Sequence, residues 1–383
     1  MILLCDLDGT LLANNMAAFQ PPYLKSLGAF LSKTIPPEKM IPELLTGTRK
    51  MFENDDPQVT LESAFDRHFY PSLGFDKHEL SGQILAFYQH EFPSLGSITR
   101  QLPEAIEFVT GRLSAGDRVV VATNPLFPRV ATFNRLVWAG MPVDKTQFEL
   151  VTTYEFMHFS KPRPTYYAEI LAYLGYPEEP VLMIGNDLDD DILPAQKLGV
   201  PGFWLTASEP IQGSNGSHHP SGAYRNLAEY LANDFQPVDI YRTTSQLVYT
   251  SILKATLAAL DTYSRYVDGS TRQTGESLSA MILARYHAEE SLLDEFKTGD
   301  TLKLEDYPID GNPKTALAVL THQRLAWLKQ LSSLPGDGSN SQDSGITRLL
   351  RSSTQLDRKL MMECAQWFTE RPKFKNLPGE TPC

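Results

Sequence analysis

The chain has 383 residues, of which 42 % are hydrophobic and 21 % charged, and it carries a formal net charge of −12. That length exceeds one ordinary domain, so two or three are expected. The acidity, with no lysine- or arginine-rich block to offset it, excludes a general affinity for nucleic acid or anionic membrane. Three scattered cysteines, Cys5, Cys364 and Cys383, are too few for a disulfide framework or a zinc site.

Met1–Leu12 reads MILLCDLDGTLL. The apolar run Ile2–Cys5 suits a strand buried on both faces, as in a parallel sheet. Asp6 and Asp8 then fall at its carboxyl end, where open α/β sheets bind ligands. Their i, i+2 spacing sets both side chains on one side of an extended backbone. Two carboxylates so close call for a cation or a shared proton, which makes them candidates for metal binding, nucleophilic attack or proton transfer. A plain Asp-Gly turn is the alternative.

From Asn14 to about Arg100 the apolar spacing is helical, in Tyr23–Lys33, Glu43–Phe52, Leu61–Tyr70 and Leu80–Phe92, with breaks at Pro and Gly. Strand signals return at Arg118–Thr123, weakly at Glu149–Thr153, and strongly at Val181–Gly185 and Gly202–Leu205. Pro103–Ser114, Pro128–Ala139 and Pro164–Leu174 have the spacing of crossover helices. The alternation predicts a Rossmann-like, doubly wound parallel sheet, residues 1–13 and 101–234, split by a helical insertion at 14–100. Ala207–Gly222 reads as a polar loop and Ala223–Asn233 as a last helix. Beyond it, residues 235–383 show four helical patterns, near Ser245–Val267, Glu276–Phe296, Pro313–Leu331 and Ile346–Thr369. These predict an all-α bundle, with Gly336–Gly345 as a flexible connection. His287, Glu290 and His322 could meet as metal ligands inside it or lie on solvated faces.

Four polar clusters directly follow strands or open helices: Asp6-Leu7-Asp8-Gly9-Thr10, Thr123-Asn124-Pro125, Lys161-Pro162, and Gly185-Asn186-Asp187 with Asp189, Asp190 and Asp191. Their order and spacing resemble the four motifs of the haloacid dehalogenase (HAD)-like hydrolase superfamily, and the phosphoglycolate phosphatase-like type in particular. The resemblance covers about Met1–Asp234. It implies that Asp6 is a nucleophile forming an aspartyl-phosphate, and that Asp8 protonates the leaving oxygen and later activates water. It further implies that Thr123, Asn124 and Lys161 bind the phosphoryl group, with Thr123 capping the next helix as the structural alternative. A Mg²⁺ ion would be held by Asp6, the carbonyl of Asp8, and the acidic loop. There the chain departs from the family, which places aspartate directly after the glycine. Either Asn186 stands in for it, or Asp187 reaches the metal, with Asp191 matching the later acidic position in both cases; Asp189 and Asp190 fit solvated charges.

Dehalogenases of the superfamily generally lack the second aspartate, so Asp8 favours an oxygen leaving group. The insertion at 14–100 occupies the position of the family's helical cap, where Arg49, Lys50, Arg67 and His68 are either substrate contacts or solvated charges. The expected activity is Mg²⁺-dependent hydrolysis of a small phosphorylated metabolite. The alternatives are a phosphomutase on the same site, or a regulatory protein in which a weakened hydrolase core presents the C-terminal bundle to a protein partner or a second copy. The opening strand follows no secretory leader and no stretch has the length of a membrane span, so a cytoplasmic protein without nucleic-acid or membrane partners is expected.

Overall fold

The computed structural model describes residues 1–206, 219–241, 245–268, 272–296, 312–333 and 345–369. The parts of the expected loops within 207–218 and 334–344 lie outside the described residues. By compactness the chain divides into one unit of Met1–Tyr166 and Glu179–Tyr241, and a second of Tyr167–Glu178 and Arg242–Cys383.

In the first unit, β1 (Ile2–Cys5) leads to a short strand β2 (Leu12–Ala13) and then the cap. The cap comprises α1 (Met16–Leu31), α2 (Pro37–Glu53), α3 (Leu61–Leu73) and α4 (Lys77–Ala86), then a π turn at Phe87–Glu91 and a 3-10 turn at Phe92–Ile98. β3 (Arg100–Gln101) pairs antiparallel with β2, closing the neck of the insertion. There follow α5 (Pro103–Ser114), β4 (Arg118–Val121), α6 (Arg129–Trp138), β5 (Leu150–Val151), α7 (Pro164–Tyr173), which passes into the second unit from Tyr167 on, then β6 (Val181–Gly185), a π turn at Leu188–Ile192 and α8 (Leu193–Leu198). β7 (Gly202–Leu205), β8 (Ser221–Gly222) and α9 (Tyr224–Asn233) complete it.

The main sheet has the order β5-β4-β1-β6-β7-β8, and every pairing is parallel. Counted within the sheet alone this is 3-2-1-4-5-6, the Rossmann order, and the winding reverses at β1. All four residues of β1 are buried between helices on both faces, which explains the unbroken apolar run. The carboxyl end of β1 therefore lies at the topological switch point, where the crossovers diverge and leave a crevice.

The cap has its own core, built on Phe19, Tyr23, Leu27, Phe69, Phe87 and Phe92. Its first helix starts at Met16, well before the predicted Tyr23. Asn15 caps it, its Oδ1 accepting from the backbone N–H of Ala17 and Ala18 at 3.0 and 3.2 Å. Pro21 and Pro22 do not end that helix, nor does Pro42 end α2 or Pro71 α3. In α1, burial of Phe19, Tyr23, Leu27 and Leu31 along one stripe outweighs the lost backbone bonds.

The second unit contains α10 (Gln246–Asp268), α11 (Arg272–Phe296), α12 (Pro313–Ser333) and α13 (Gly345–Thr369), an all-helical bundle as predicted. Tyr167–Glu178 belongs to it as well. The Tyr173 hydroxyl bonds Thr262 Oγ1 at 2.8 Å, and the Tyr176 hydroxyl donates to the Ile252 carbonyl at 3.0 Å.

The bundle interior holds a closed ion network. Asp357 accepts from Arg285 Nε at 2.6 Å and from Arg324 Nη1 and Nη2 at 2.8 and 2.9 Å, while Arg324 Nε donates to Glu289 Oε1 at 3.0 Å. The sequence offered His287, Glu290 and His322 as ligands there, but His287 and His322 lie on exposed helix faces. Among the described residues no three His, Cys, Asp or Glu side chains form a metal-binding group. Nor is any described helix long and apolar enough to cross a membrane.

Candidate active site

The β1 ladder runs on to Asp6, whose N–H donates to the Ile184 carbonyl at 2.9 Å, so the first aspartate is fixed by the sheet itself. Gly9 has φ +86°, and a Cβ there would lie 2.5 Å from Asn186 Nδ2. Glycine at this position thus permits both the turn and the close approach of the acidic loop. Thr10 Oγ1 secures that approach by donating to Asn186 Oδ1 at 3.2 Å. On the facing strand a Cβ on Gly185 would collide with the Asp191 carboxylate. The glycine before the acidic loop therefore makes room for an aspartate folding back from the next turn.

Lys161 is buried and its ammonium bridges two carboxylates, donating to Asp6 Oδ1 at 2.7 Å and to Asp191 Oδ1 at 2.6 Å. Asp191 uses its other oxygen to accept from the Asp187 N–H at 3.1 Å. Asp187 is exposed and caps the following turn, with Oδ1 accepting from the N–H groups of Asp189 and Asp190, each at 2.9 Å. Burial pushes the Asp6 carboxyl above the usual range, Lys161 opposes the shift, and the charges of Asp191 and Asp8 add to it.

Asp8 has a different environment. Asn14 Nδ2 donates to its Oδ1 at 2.7 Å, and Arg135 Nη1 to its Oδ2. The Arg135 guanidinium is itself buried, lies 4.7 Å from the Phe127 ring centroid and donates from Nη2 to Thr132 Oγ1 at 3.2 Å. Thr123 is buried at the end of β4, its carbonyl accepting from the Thr152 and Tyr166 hydroxyls at 2.8 and 2.7 Å. Asn124 Oδ1 is buried with no hydrogen-bond partner.

Asp6, Asp8, Thr123, Asn124, Lys161, Asn186, Asp187 and Asp191 all line one cavity of about 950 Å³, so the four sequence clusters meet in space. Asp190 joins them, half-buried, where the sequence suggested a solvated charge; Asp189 is exposed. Arg135 and Asn14 also line the cavity and were missed. The signal for Arg135 was an arginine four residues after buried Ala131 and beside buried Leu136, on the apolar stripe of α6. The cap charges Arg49 and Lys50 are exposed, as is Arg67, while His68 pairs with Glu43 at 2.9 Å; none reaches the cavity.

Five carboxylates line this cavity against two cations, Lys161 and Arg135. A phosphate dianion would meet net repulsion there, and a hard divalent cation would relieve it. Oxygen donors of the kind Mg²⁺ takes are present in Asp6, the Asp8 carbonyl and Asn186. These donors suit the chemistry of such an ion, but among the described residues of this cavity, too, no three His, Cys, Asp or Glu side chains gather as a metal-binding group.

A HAD-hydrolase-like family profile matches residues 158–227, the segment that carries Lys161 and the acidic loop. The match is to that segment alone, and the sheet order is one that doubly wound α/β folds share. No curated protein matches the chain. Among solved structures it is similar to a HAD phosphatase from Thermococcus onnurineus, at 17 % identity over 62 % of this chain and 99 % of that one, with a TM-score of 0.38. It is also similar to a 2-haloacid dehalogenase from Pseudomonas syringae pv. Tomato, at 18 % identity over 60 % and 97 %, with a TM-score of 0.42. Phosphatases and dehalogenases both occur among these likenesses, which do not choose between the two chemistries.

Proposed function

We propose that the protein is a Mg²⁺-dependent phosphohydrolase that cleaves a small phosphorylated metabolite through an aspartyl-phosphate on Asp6. The observation that carries this reading is the division of labour between two adjacent carboxylates at the switch point. Asp6 is held through one oxygen by Lys161, which leaves Oδ2 for attack at phosphorus. Asp8 is held apart from it, one oxygen on Asn14 and the other on Arg135. Two carboxylates in unlike environments are what sequential nucleophilic and proton-transfer roles require.

In the first half-reaction Asp6 Oδ2 forms a bond to phosphorus and the ester oxygen leaves with its electron pair, taking a proton from Asp8. In the second, Asp8 takes a proton from water as that water attacks phosphorus and Asp6 is released. Asp8 must exchange one of its present contacts for the reacting oxygen in each half. Lys161 neutralises phosphoryl charge while keeping Asp6 oriented, and the Thr123 hydroxyl with the backbone N–H of Asn124 binds phosphoryl oxygens. Asp6, the Asp8 carbonyl and Asn186 would hold Mg²⁺, which would supply further charge neutralisation. The use of Asp187 Oδ1 as a turn cap favours Asn186 over Asp187 in that role.

A panel of phosphorylated metabolites assayed for phosphate release with and without Mg²⁺, beside Asp6→Asn, tests this. Release that needs the metal and falls at least about 10³-fold in Asp6→Asn is expected. Absence of release from every member would overturn it. Sugar-phosphate isomerisation without net release would instead indicate a mutase.

A further inference from the structure

Beside the catalytic cavity, between the cap and the core residues Leu126, Phe127, Pro128 and Tyr154, lies a second cavity of about 330 Å³, and the two share Met16, Ala17, Leu126 and Phe127 as lining residues. Its volume falls within the roughly 300–1,000 Å³ of ligand pockets. It is about twice that of an engineered apolar cavity of about 150 Å³ that takes up benzene. None of its lining residues is charged. The hydroxyls of Tyr23 and Tyr88 are used on each other at 2.8 Å, and the Thr48 hydroxyl on the Leu44 carbonyl at 2.9 Å; the remaining polar lining is the Gln20 amide and the Tyr70 and Tyr154 hydroxyls. Leu45 and Phe52, which also line it, are 41 % and 39 % exposed, so apolar surface continues to solvent. The cap contributes no charged side chain to the catalytic cavity either, where its residues run from Asn14 to Phe19 with Pro22 and Ile98.

We propose that this second cavity holds the leaving group, and that the substrate is a phosphate monoester of an apolar alcohol, alkyl or aromatic. The inference rests on the phosphatase reading of the adjoining site. Phosphate chemistry needs the charged cavity, and the ester's alcohol portion must then face the cap. A polyhydroxylated leaving group would give up its hydrogen bonds to water and find few to replace them in a space lined by Leu27, Leu44, Phe65, Phe69 and Ile84. An apolar one gains from every methylene that it buries. Phe127 joins the two spaces, with the Arg135 guanidinium on its ring and the Tyr23 ring centroid 5.4 Å away, so an occupant of the apolar cavity lies one side chain from the clamp on Asp8.

The test is a homologous series of n-alkyl phosphates from ethyl to octyl, with glycerol phosphate as the polar comparison, on wild type, Asp6→Asn and the cavity-filling variant Ile84→Trp. The Asp6-dependent kcat/KM is expected to rise roughly three- to four-fold per methylene until the cavity is full. In Ile84→Trp the gain along the series should vanish, so that octyl phosphate is turned over no faster than ethyl phosphate. Equal rates along the series, or a preference for glycerol phosphate, would overturn the inference and leave the phosphatase reading standing. Calorimetric binding of ethyl and octyl phosphonate to the wild-type protein decides the matter independently of turnover and of the variant's folding. Tighter binding of the octyl compound supports the inference and equal or absent binding overturns it, whereas Asp6-independent release would instead count against the phosphatase reading.

Discussion

Each unit of this protein buries a cluster of charges, and the two clusters are built on opposite principles. In the helical bundle, two guanidiniums, Arg285 and Arg324, face two carboxylates, Glu289 and Asp357, and Ser353 Oγ adds a hydrogen bond to Glu289 at 3.1 Å. Charge is balanced and all four groups are almost fully buried. At the end of β1 the carboxylates outnumber the cations, and the cluster faces a large cavity. A balanced, closed network costs desolvation and returns fixed packing. An open cluster unbalanced toward negative charge is unfavourable unless a cation enters it. The difference teaches that buried charge alone does not mark a functional site; the sign and size of the imbalance do.

The largest effect should come from unbalancing the closed network. Arg324→Met leaves Asp357 and Glu289 facing one remaining guanidinium, and unfolding in denaturant should show a loss of about 3–5 kcal/mol. Next in size is Lys161→Met, which removes a cation from the open cluster. Phosphate release should fall roughly 10²–10³-fold. Arg135→Lys keeps the charge beside Asp8 but not the planar fork, and kcat should drop on the order of ten-fold, since lysine does not reproduce the geometry. At the bottom of the scale, His287→Ala removes a side chain that is 58 % exposed. It should change stability by no more than about 0.5 kcal/mol and leave phosphate release unaltered. A substantial loss of activity there would restore a functional role to the bundle histidines.

Much of the organisation was legible in the sequence because of how apolar residues are punctuated. Val181–Gly185 and Gly202–Leu205 are continuous apolar runs bounded by Pro or Gly, and their predicted bounds coincide with the strands formed. Pro103 at the first position of its helix marked α5 in the same way. The pair Leu12–Ala13 and Arg100–Gln101 was not legible. Two residues carry no period, and the pairing joins segments separated by the entire cap. The same limit applies to the site. Asp6, Thr123, Lys161 and Asn186 announce themselves by following strands, so local pattern finds them. Arg135 and Asn14 reach Asp8 from a helix interior and a loop, and only the tertiary arrangement reveals what they touch. The helix starting at Met16 is a third case, since packing against the cap core overrides the breaking signal of Pro21 and Pro22.

The central claim is that the open, negatively unbalanced cluster works through covalent chemistry at Asp6. The most direct measurement is the mass of the intact protein, and of its amino-terminal peptide, after acid quench during turnover of a hydrolysed phosphate ester in the presence of Mg²⁺. A population heavier by one phosphoryl group, located to Asp6 and absent from Asp6→Asn, is predicted. Asp6→Asn that carries the same adduct, or that releases phosphate at the wild-type rate, would contradict the account.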